Sequence, residues 1–186
     1  LWANLPSDLK MTNPNYQDVK GNEINIIKDD DETIIKIIIG NYKGYIGPIK
    51  EVASKPQYLD IYVPPNTVKT IPMSTYDNCF AYVFEGSGKF DYSSKPQGVK
   101  VEKSFNNEDY TIRDLSGNKT LITFDTGDKI KLLSGNHGVR FLLISGTPIQ
   151  EPVAWHGPIV MNTNDEIKLA MQELNNGTFI KNKGGI

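Results

Sequence analysis

Apolar residues that alternate with polar ones recur along this chain and predict β-strands. The clearest run covers residues 58–63, where Leu59, Ile61 and Val63 share one face. A β-branched run at 33–39 predicts another strand, and the apolar run at 79–84 predicts a strand that is fully buried or lies in a sandwich. Weaker patterns predict further strands at 89–92, 110–115, 120–124, 129–133 and 139–144.

Gly, Pro, Asn, Asp and Ser cluster between these strands and predict turns. The clusters fall at residues 64–66, 85–88, 116–118, 125–128 and 134–138. Many short strands separated by turns at regular spacing are typical of a β-sandwich or β-barrel. The predicted fold class is therefore all-β, with one helix near the C-terminal end.

That helix is predicted from residue 164 to about residue 175. Thr163 is a suitable N-cap, and Glu166 three residues later completes a capping box. An apolar stripe at helical spacing predicts the buried face, and it comprises Ile167, Ala170, Met171 and Leu174. The preceding residues 146–158 contain three prolines and two glycines, so we expect neither a regular strand nor a helix there.

Composition excludes several classes of function. The chain has 186 residues and a net charge of −2, which gives no basic surface for direct binding to nucleic acid. Its apolar runs are far shorter than the roughly 20 residues of a membrane span, and no secretory leader is visible. A single cysteine, Cys79, favours a reducing compartment. We therefore expect an intracellular protein, nuclear or cytoplasmic, with no membrane partner.

Four blocks of sequence in order resemble the pirin family. They are the Leu-Trp-Ala-Asn-Leu-Pro segment at residues 1–6, the strand and glycine turn at 78–88, the last strand at 140–146, and the Glu-Pro-Val to Asn-Thr run at 151–163. The resemblance implies a bicupin, which is two cupin-type jelly-roll β-barrels in one chain. It implies three regions here: an exit strand of an N-terminal cupin with a linker at 1–16, a C-terminal cupin barrel at 17–150, and an irregular clasp with a helix at 151–186.

The resemblance also implies where the family's iron is bound. The pirin ligands, a His-x-His pair and a later His-x-Glu, belong to the first barrel, and Fe(II) is therefore implied only for that N-terminal cupin. This chain contains two histidines, His137 and His156, and neither has such spacing. Where a cupin site would fall, residues 70–76 carry apolar and hydroxyl side chains. We therefore predict no catalytic, cofactor-binding or metal-binding residue in this chain.

Four smaller features need interpretation. His156 is either a histidine that faces a partner or cavity, or a loop histidine bonded to backbone, and the second is favoured; His137 is predicted to be a solvated turn residue. The acidic run at 29–32 lacks the spaced oxygens and glycine of a calcium loop, so a solvated turn is favoured. Trp2 is expected to be a core or cavity residue of the first barrel in a whole pirin, and to be exposed without it.

Two functions follow from the resemblance for an intact protein. One is a nuclear co-regulator role, in which the metal state tunes binding to transcription factors. The alternative is an iron-dependent dioxygenase that cleaves flavonols such as quercetin at the first barrel. For this chain we expect a structural or binding role rather than catalysis, with the N-terminal cupin of the same protein as its first partner and transcription-factor proteins as further partners.

Overall fold

The computed structural model describes residues 2–50, 52, 55–91 and 115–181. Within them lie twelve strands, one α-helix and two short 3-10 helices at Ser7–Leu9 and Gly21–Glu23. The elements are β1 Asn25–Lys28, β2 Ile34–Ile39, β3 Asn41–Tyr42, β4 Tyr45–Ile46, β5 Gln57–Val63, β6 Val68–Pro72, β7 Asn78–Phe90, β8 Ser116–Gly117, β9 Thr120–Thr123, β10 Lys129–Gly146, β11 Ala154–His156, β12 Ile159–Met161 and α1 Asn164–Asn175. The predicted class, all-β with one C-terminal helix, is confirmed. The predicted strand at 110–115 lies almost wholly outside the described residues.

The described residues form two compact units. The sheet unit comprises the described parts of 19–50 and 56–147, and the terminal unit comprises the described parts of 1–18, 51–55 and 148–181. The terminal unit therefore joins the first residues of the chain to its last. One contact within it is the hydrogen bond that the Ser7 amide donates to Glu151 at 2.9 Å.

An eight-stranded antiparallel sheet builds the sheet unit. Its strand order is β1-β2-β5-β10-β7-β8, with β6 paired to β10 and β9 paired to β7. The alternation predicted for β5 is confirmed, since Leu59, Ile61 and Val63 are fully buried. These side chains share one apolar core with residues from β2, β6, β7, β9 and β10, among them Ile35, Ile37, Ile71, Val83, Ile122, Leu132 and Phe141. Because each strand presents alternate residues to the core, the residues between them lie on the outer face, which carries polar side chains together with apolar ones such as Ile34 and Tyr82.

Two pairs of predicted strands are in fact single long strands. β7 runs through the predicted turn at 85–88, and β10 runs through the predicted turn at 134–138. The glycines bend these strands without ending them: Gly86 has φ +69° and Gly138 has φ +76°, and the β7–β10 register shifts nearby. The bend lets β10 pair with β6 before it and with β5 after it. Glycine within a strand marks such a bend as often as it marks a turn.

The proline-rich stretch contains more regular structure than predicted. β11 and β12 form a two-stranded hairpin in which His156 pairs with Ile159, so the prediction of no strand within residues 146–158 is wrong. Pro152 precedes the first strand, and Pro158 lies in the two-residue turn with Gly157, which has φ +56°. Neither proline therefore occupies a position that must donate to the ladder.

The helix begins and ends as predicted. The Thr163 hydroxyl accepts from the Glu166 amide, and the Glu166 carboxylate accepts from the Thr163 amide at 2.7 Å. Ile167 and Ala170 are buried against the hairpin residues Ala154, Ile159 and Met161, with Met171 partly buried beside them. Leu174 is 43% exposed, so its place in the predicted stripe is wrong. The apolar contact ends one turn before the helix does.

Met171 provides a test of this packing. Met171→Asp should lower the free energy of unfolding by about 2 kcal/mol, because a carboxylate would replace apolar contact on the packed face. Leu169→Asp is the matched control, since Leu169 is 54% exposed on the same helix and the loss of helix propensity is similar. Chemical denaturation of both variants compares them. Equal losses for the two would mean that the helix does not pack as described.

Candidate functional site

The interior of the sheet unit is mostly apolar. The core residues along β2, β5, β7 and β10 are hydrophobic, and Ser134 and Ser145 of β10 are buried as well. In the segment where a cupin site was sought, Ile71 is fully buried, Met73 packs against the core and Tyr76 is 83% exposed. Among the described residues, no group of three or more His, Cys, Asp or Glu could hold a metal ion. Fe(II) needs several imidazole or carboxylate ligands that converge on one point.

The two histidines lie in different units. His137 is exposed on β10, in the sheet unit, and therefore lies within a strand rather than in the predicted turn. His156 is exposed at the end of β11, in the terminal unit, and is likewise a strand residue rather than a loop residue. Cys79 is half-buried on β7, where burial and then the charge of Asp77 raise the pKa of its thiol to about 12. A thiol with that pKa is a poor nucleophile at neutral pH.

A charged cluster, which we call the lysine cluster, lies where the chain enters β2. It comprises Asp29, Asp31, Tyr42, Lys43 and Lys69. The Lys69 ammonium donates to Asp29 Oδ2 at 2.6 Å and to both Asp31 carboxylate oxygens at 2.9 and 3.0 Å. Lys43 Nζ donates to Asp29 Oδ1 at 2.8 Å, and the Tyr42 hydroxyl donates to Oδ2 at 3.3 Å. Each carboxylate therefore has a cationic partner.

Burial makes this cluster unusual. Lys69 and Asp29 are only 6% and 9% exposed. The acidic run at 29–32 is therefore a turn as predicted, with Asp30 and Glu32 exposed, but Asp29 is buried. Lys69 lies on β6, two residues before the core residue Ile71, and therefore points inward with it. No local sequence pattern indicates this pairing, because Lys69 lies forty residues from Asp29. The contact between this inward-facing lysine and the acidic turn can be recognised only when the strand register is known.

The pKa values of the carboxyl groups reflect these contacts. Burial acts to raise the pKa of Asp29, but hydrogen bonds from Lys43 and Lys69 and the charges of both lysines lower it below its usual value. Asp31 shows the same balance: burial raises its pKa, and the bonds from Lys69 and Thr33 lower it. Burial and then the charge of Asp29 raise the pKa of Tyr42 well above its ordinary value. At neutral pH the cluster therefore holds charged carboxylates and a neutral phenol.

A shallow cleft opens on the outer face of the sheet, and we call it the arginine cleft. Its volume is about 240 Å³, and it is lined by Ile34, Lys36, Asp60, Tyr62, Glu85 and Arg140. Arg140 donates to Asp60 through Nε at 2.8 Å and Nη2 at 2.6 Å, and its guanidinium lies 5.0 Å from the Phe84 ring centre. The bonds to Asp60 raise the pKa of Arg140. Because its charge is already paired with Asp60 and its guanidinium contacts a ring, Arg140 is a weak binding group for an anionic ligand.

The terminal unit carries an apolar concavity, which we call the tryptophan surface. It is lined by Trp2, Asn4, Val153, Trp155 and Val160 and encloses about 300 Å³. The two indoles meet edge to face, with centres 5.9 Å apart and planes at 89°. Trp2 is 60% exposed, as expected for this chain alone, and Trp155 is 70% exposed. Two indoles in contact on the surface form a contiguous apolar patch rather than scattered exposed residues.

The sheet unit, with its apolar interior and its two long bent strands, defines a cupin-type β-barrel. A solved quercetin 2,3-dioxygenase from Acinetobacter baumannii has the same fold, with a TM-score of 0.76 at 24% identity over 96% of this chain and 55% of that one. Residues 58–180 match the family model of the Pirin C-terminal cupin domain. The chain belongs to the pirin family, and the resemblance seen in the sequence is confirmed.

Curated relatives extend the match along the whole chain. A pirin-like protein from Caulobacter vibrioides is 32% identical over 96% of this chain and 57% of its own length. A Thermoplasma acidophilum protein with a provisional name as a quercetin 2,3-dioxygenase is 27% identical over 100% of this chain and 66% of its own. The chain thus spans a little over half to two thirds of the length of these relatives. None of the helices in the described parts of the chain has the length and apolar character that crossing a bilayer requires.

Proposed function

We propose that this chain is the metal-free cupin half of a pirin-like protein and that its role is to complete and present a second, iron-bearing barrel. The chemistry of the interior supports this most directly. The buried core positions of the barrel strands hold mainly Ile, Val, Leu and Phe side chains. The inward-facing Lys69 is already neutralised by Asp29 and Asp31. A barrel with this interior is stable without a cation.

The arrangement of polar groups favours a role in binding over one in catalysis. Acid–base work requires a titratable group poised near neutral pH and within reach of a substrate. In the lysine cluster the carboxyl pKa values are lowered and the Tyr42 pKa is raised, which moves all three away from neutrality. In the arginine cleft Arg140 is paired with Asp60. With a net charge of −2, the regulatory contacts we propose for the intact protein are with proteins such as transcription factors, not with nucleic acid directly.

Iron content is the first test. We expect residues 1–186, purified and then equilibrated anaerobically with Fe(II), to retain less than about 0.1 iron per chain, because the ligands that a cupin iron requires are not brought together. Elemental analysis after gel filtration measures it. The double variant His137→Ala, His156→Ala shows whether any iron that is retained depends on the two histidines. About one iron per wild-type chain, lost in that variant, would contradict the proposal.

The similarity to a relative named as a quercetin 2,3-dioxygenase suggests a second candidate function for the intact protein, which is cleavage of the flavonol ring. In that case the oxygen chemistry would occur at iron in the other barrel, and this half would again contribute structure. Oxygen consumption with quercetin separates the candidates. We expect none from residues 1–186 with added Fe(II), since side chains alone activate dioxygen poorly. Ring-cleaved product from the intact protein would favour the dioxygenase, and ring-cleaved product from this chain alone would refute both assignments.

A further inference from the structure

The hairpin of β3 and β4 lies outside the eight-stranded sheet and forms a two-stranded sheet of its own. Its turn consists of Lys43 and Gly44, which have φ +50° and φ +87°, as a two-residue type I′ turn requires. At its base the Gly47 amide donates to the Gly40 carbonyl at 2.9 Å, so the two ends of the hairpin are held together. We call residues 41–46 the strap.

Two side chains of the strap converge on one residue of the sheet unit, Asp29. Lys43 Nζ donates to Asp29 Oδ1 at 2.8 Å, and the Tyr42 hydroxyl donates to Asp29 Oδ2 at 3.3 Å. The Tyr42 ring is buried and belongs to the apolar core. In contrast, the β4 residues Tyr45 and Ile46 are each 56% exposed. The β3 side of the strap is therefore attached to the sheet unit, whereas the β4 side lies mostly in water.

The strap shields the buried ion pair of the lysine cluster. The Lys69 ammonium and the Tyr42 hydroxyl donate to the same oxygen, Asp29 Oδ2, so Tyr42 lies directly beside the pair. Since β3 is not part of the large sheet, Tyr42 can move away without breaking the strand ladder that holds Lys69 on β6 against β10. Such a movement would bring water to Lys69 and Asp29.

We propose that the strap is a gate over the lysine cluster, that it opens while the rest of the sheet unit stays folded, and that its contacts with Asp29 are the latch. Tyr42 alone among the six strap residues is buried, and each strand of the strap contributes two residues to its ladder. Segments with so few buried apolar contacts open before the folded core does. The open state gives water and small solutes access to the Lys69 ammonium, which the closed strap shields.

Native-state hydrogen exchange of residues 1–186 in low concentrations of urea, read by NMR, tests whether the strap opens alone. A hairpin this short is not stable once detached, so the Tyr45 amide, opposite Tyr42 in the ladder, exchanges when the strap opens. Its protection factor should be at least about 100-fold smaller than that of the Ile61 amide in the central strand β5. It should also depend on urea less than about a third as steeply, because strap opening exposes little surface. Equal protection or equal urea dependence would overturn the proposal.

The double variant Tyr42→Phe, Lys43→Met tests the latch. It removes both strap contacts with Asp29 and keeps the buried ring. We expect the protection factor of the Tyr45 amide to fall at least about tenfold and that of the Ile61 amide to change less than about threefold, since the lost contacts belong to the strap. Unchanged protection of Tyr45 would overturn the proposal. An equal fall at Tyr45 and Ile61 would also overturn it, because the strap would then open only with the whole sheet unit.

Tyr76→Phe, Lys28→Met is the matched control, because it makes the same two chemical changes away from Asp29. Tyr76 is 83% exposed, and the Lys28 side chain is 58% exposed and pairs with Glu32. We expect the protection factors of the Tyr45 and Ile61 amides to stay within about twofold of wild type in this control. A fall at Tyr45 as large as that in the latch variant would show that the contacts with Asp29 do not hold the strap, and would overturn the proposal.

Discussion

Replacing Lys69 by methionine should destabilise the sheet unit by about 3–5 kcal/mol at neutral pH. The methionine would leave Asp29, whose side chain is 6% exposed, with a buried charge and one cationic partner fewer. Asp31 would lose its bidentate contact at the same time. Lys131→Met is the matched control, because Lys131 is an exposed strand lysine whose contact with Asp91 is 4.0 Å long. Surface pairs of that kind contribute about 0–1 kcal/mol.

The pH dependence of this effect has a definite sign. The folded-state pKa values of Asp29 and Asp31 lie below their usual value of 3.8. They therefore contribute stability that is present above pH 4 and is lost as the pH falls through the folded-state values. In Lys69→Met, the contacts that lower the pKa of Asp29 against the effect of burial are fewer. Protonation of Asp29 at low pH therefore removes the unpaired buried charge and its cost. Urea denaturation at several pH values should show the difference between wild type and variant narrowing below pH 4.

Two outcomes would contradict this account of the lysine cluster. A loss in Lys69→Met no larger than that in Lys131→Met would show that the cluster is solvated. A difference between wild type and Lys69→Met that widens as the pH falls would show that the carboxyl pKa values are not lowered. Adding Asp29→Asn and Asp31→Asn to Lys69→Met provides a further check, since removing the uncompensated charges should restore much of the stability.

The parts of the fold that the sequence predicted are those controlled by local rules. The alternation at Leu59, Ile61 and Val63 predicted β5, and the Thr163–Glu166 capping box predicted the start of α1. In each case the signal lies within a few residues, and burial on one face preserves it. The errors arose where a local signal has two meanings. Glycines at 85–88 and 134–138 indicated turns, but they bend continuous strands because β7 and β10 lie against each other there.

The candidate surfaces are formed by residues that lie far apart in the sequence, so local sequence patterns could not predict them. Arg140 meets Asp60 across eighty residues, and the two become neighbours only through the β5–β10 register. The Trp2–Trp155 contact joins opposite ends of the chain. Hydrophobic periodicity specifies which face a residue occupies but not which strand lies beside it. The family resemblance indicated that Trp2 would be exposed in this chain, but only the structure shows what it lies against.

Among glycine-to-alanine changes at the described positions, Gly86→Ala should be the most damaging, with a loss of about 3 kcal/mol or more. An added Cβ would lie 2.1 Å from the Gly138 carbonyl oxygen and 3.2 Å from Val139 Cα, and both are backbone atoms. Neither can rotate away as a side chain would, so β7 or β10 must move. Val139 is 1% exposed, so that movement would disturb the apolar core directly.

Gly177→Ala separates this close approach from the strain of the backbone angle. Gly177 and Gly86 both have φ +69°, but a Cβ on Gly177 would meet no atom within 4 Å. The control should therefore lose only about 1–2 kcal/mol, which is the cost of a left-handed conformation for a residue with a Cβ. Thermal and urea denaturation of the two variants give the comparison. If Gly86→Ala lost no more than Gly177→Ala, the contact between β7 and β10 at the bend would be looser than described, and the bend would not require glycine for space.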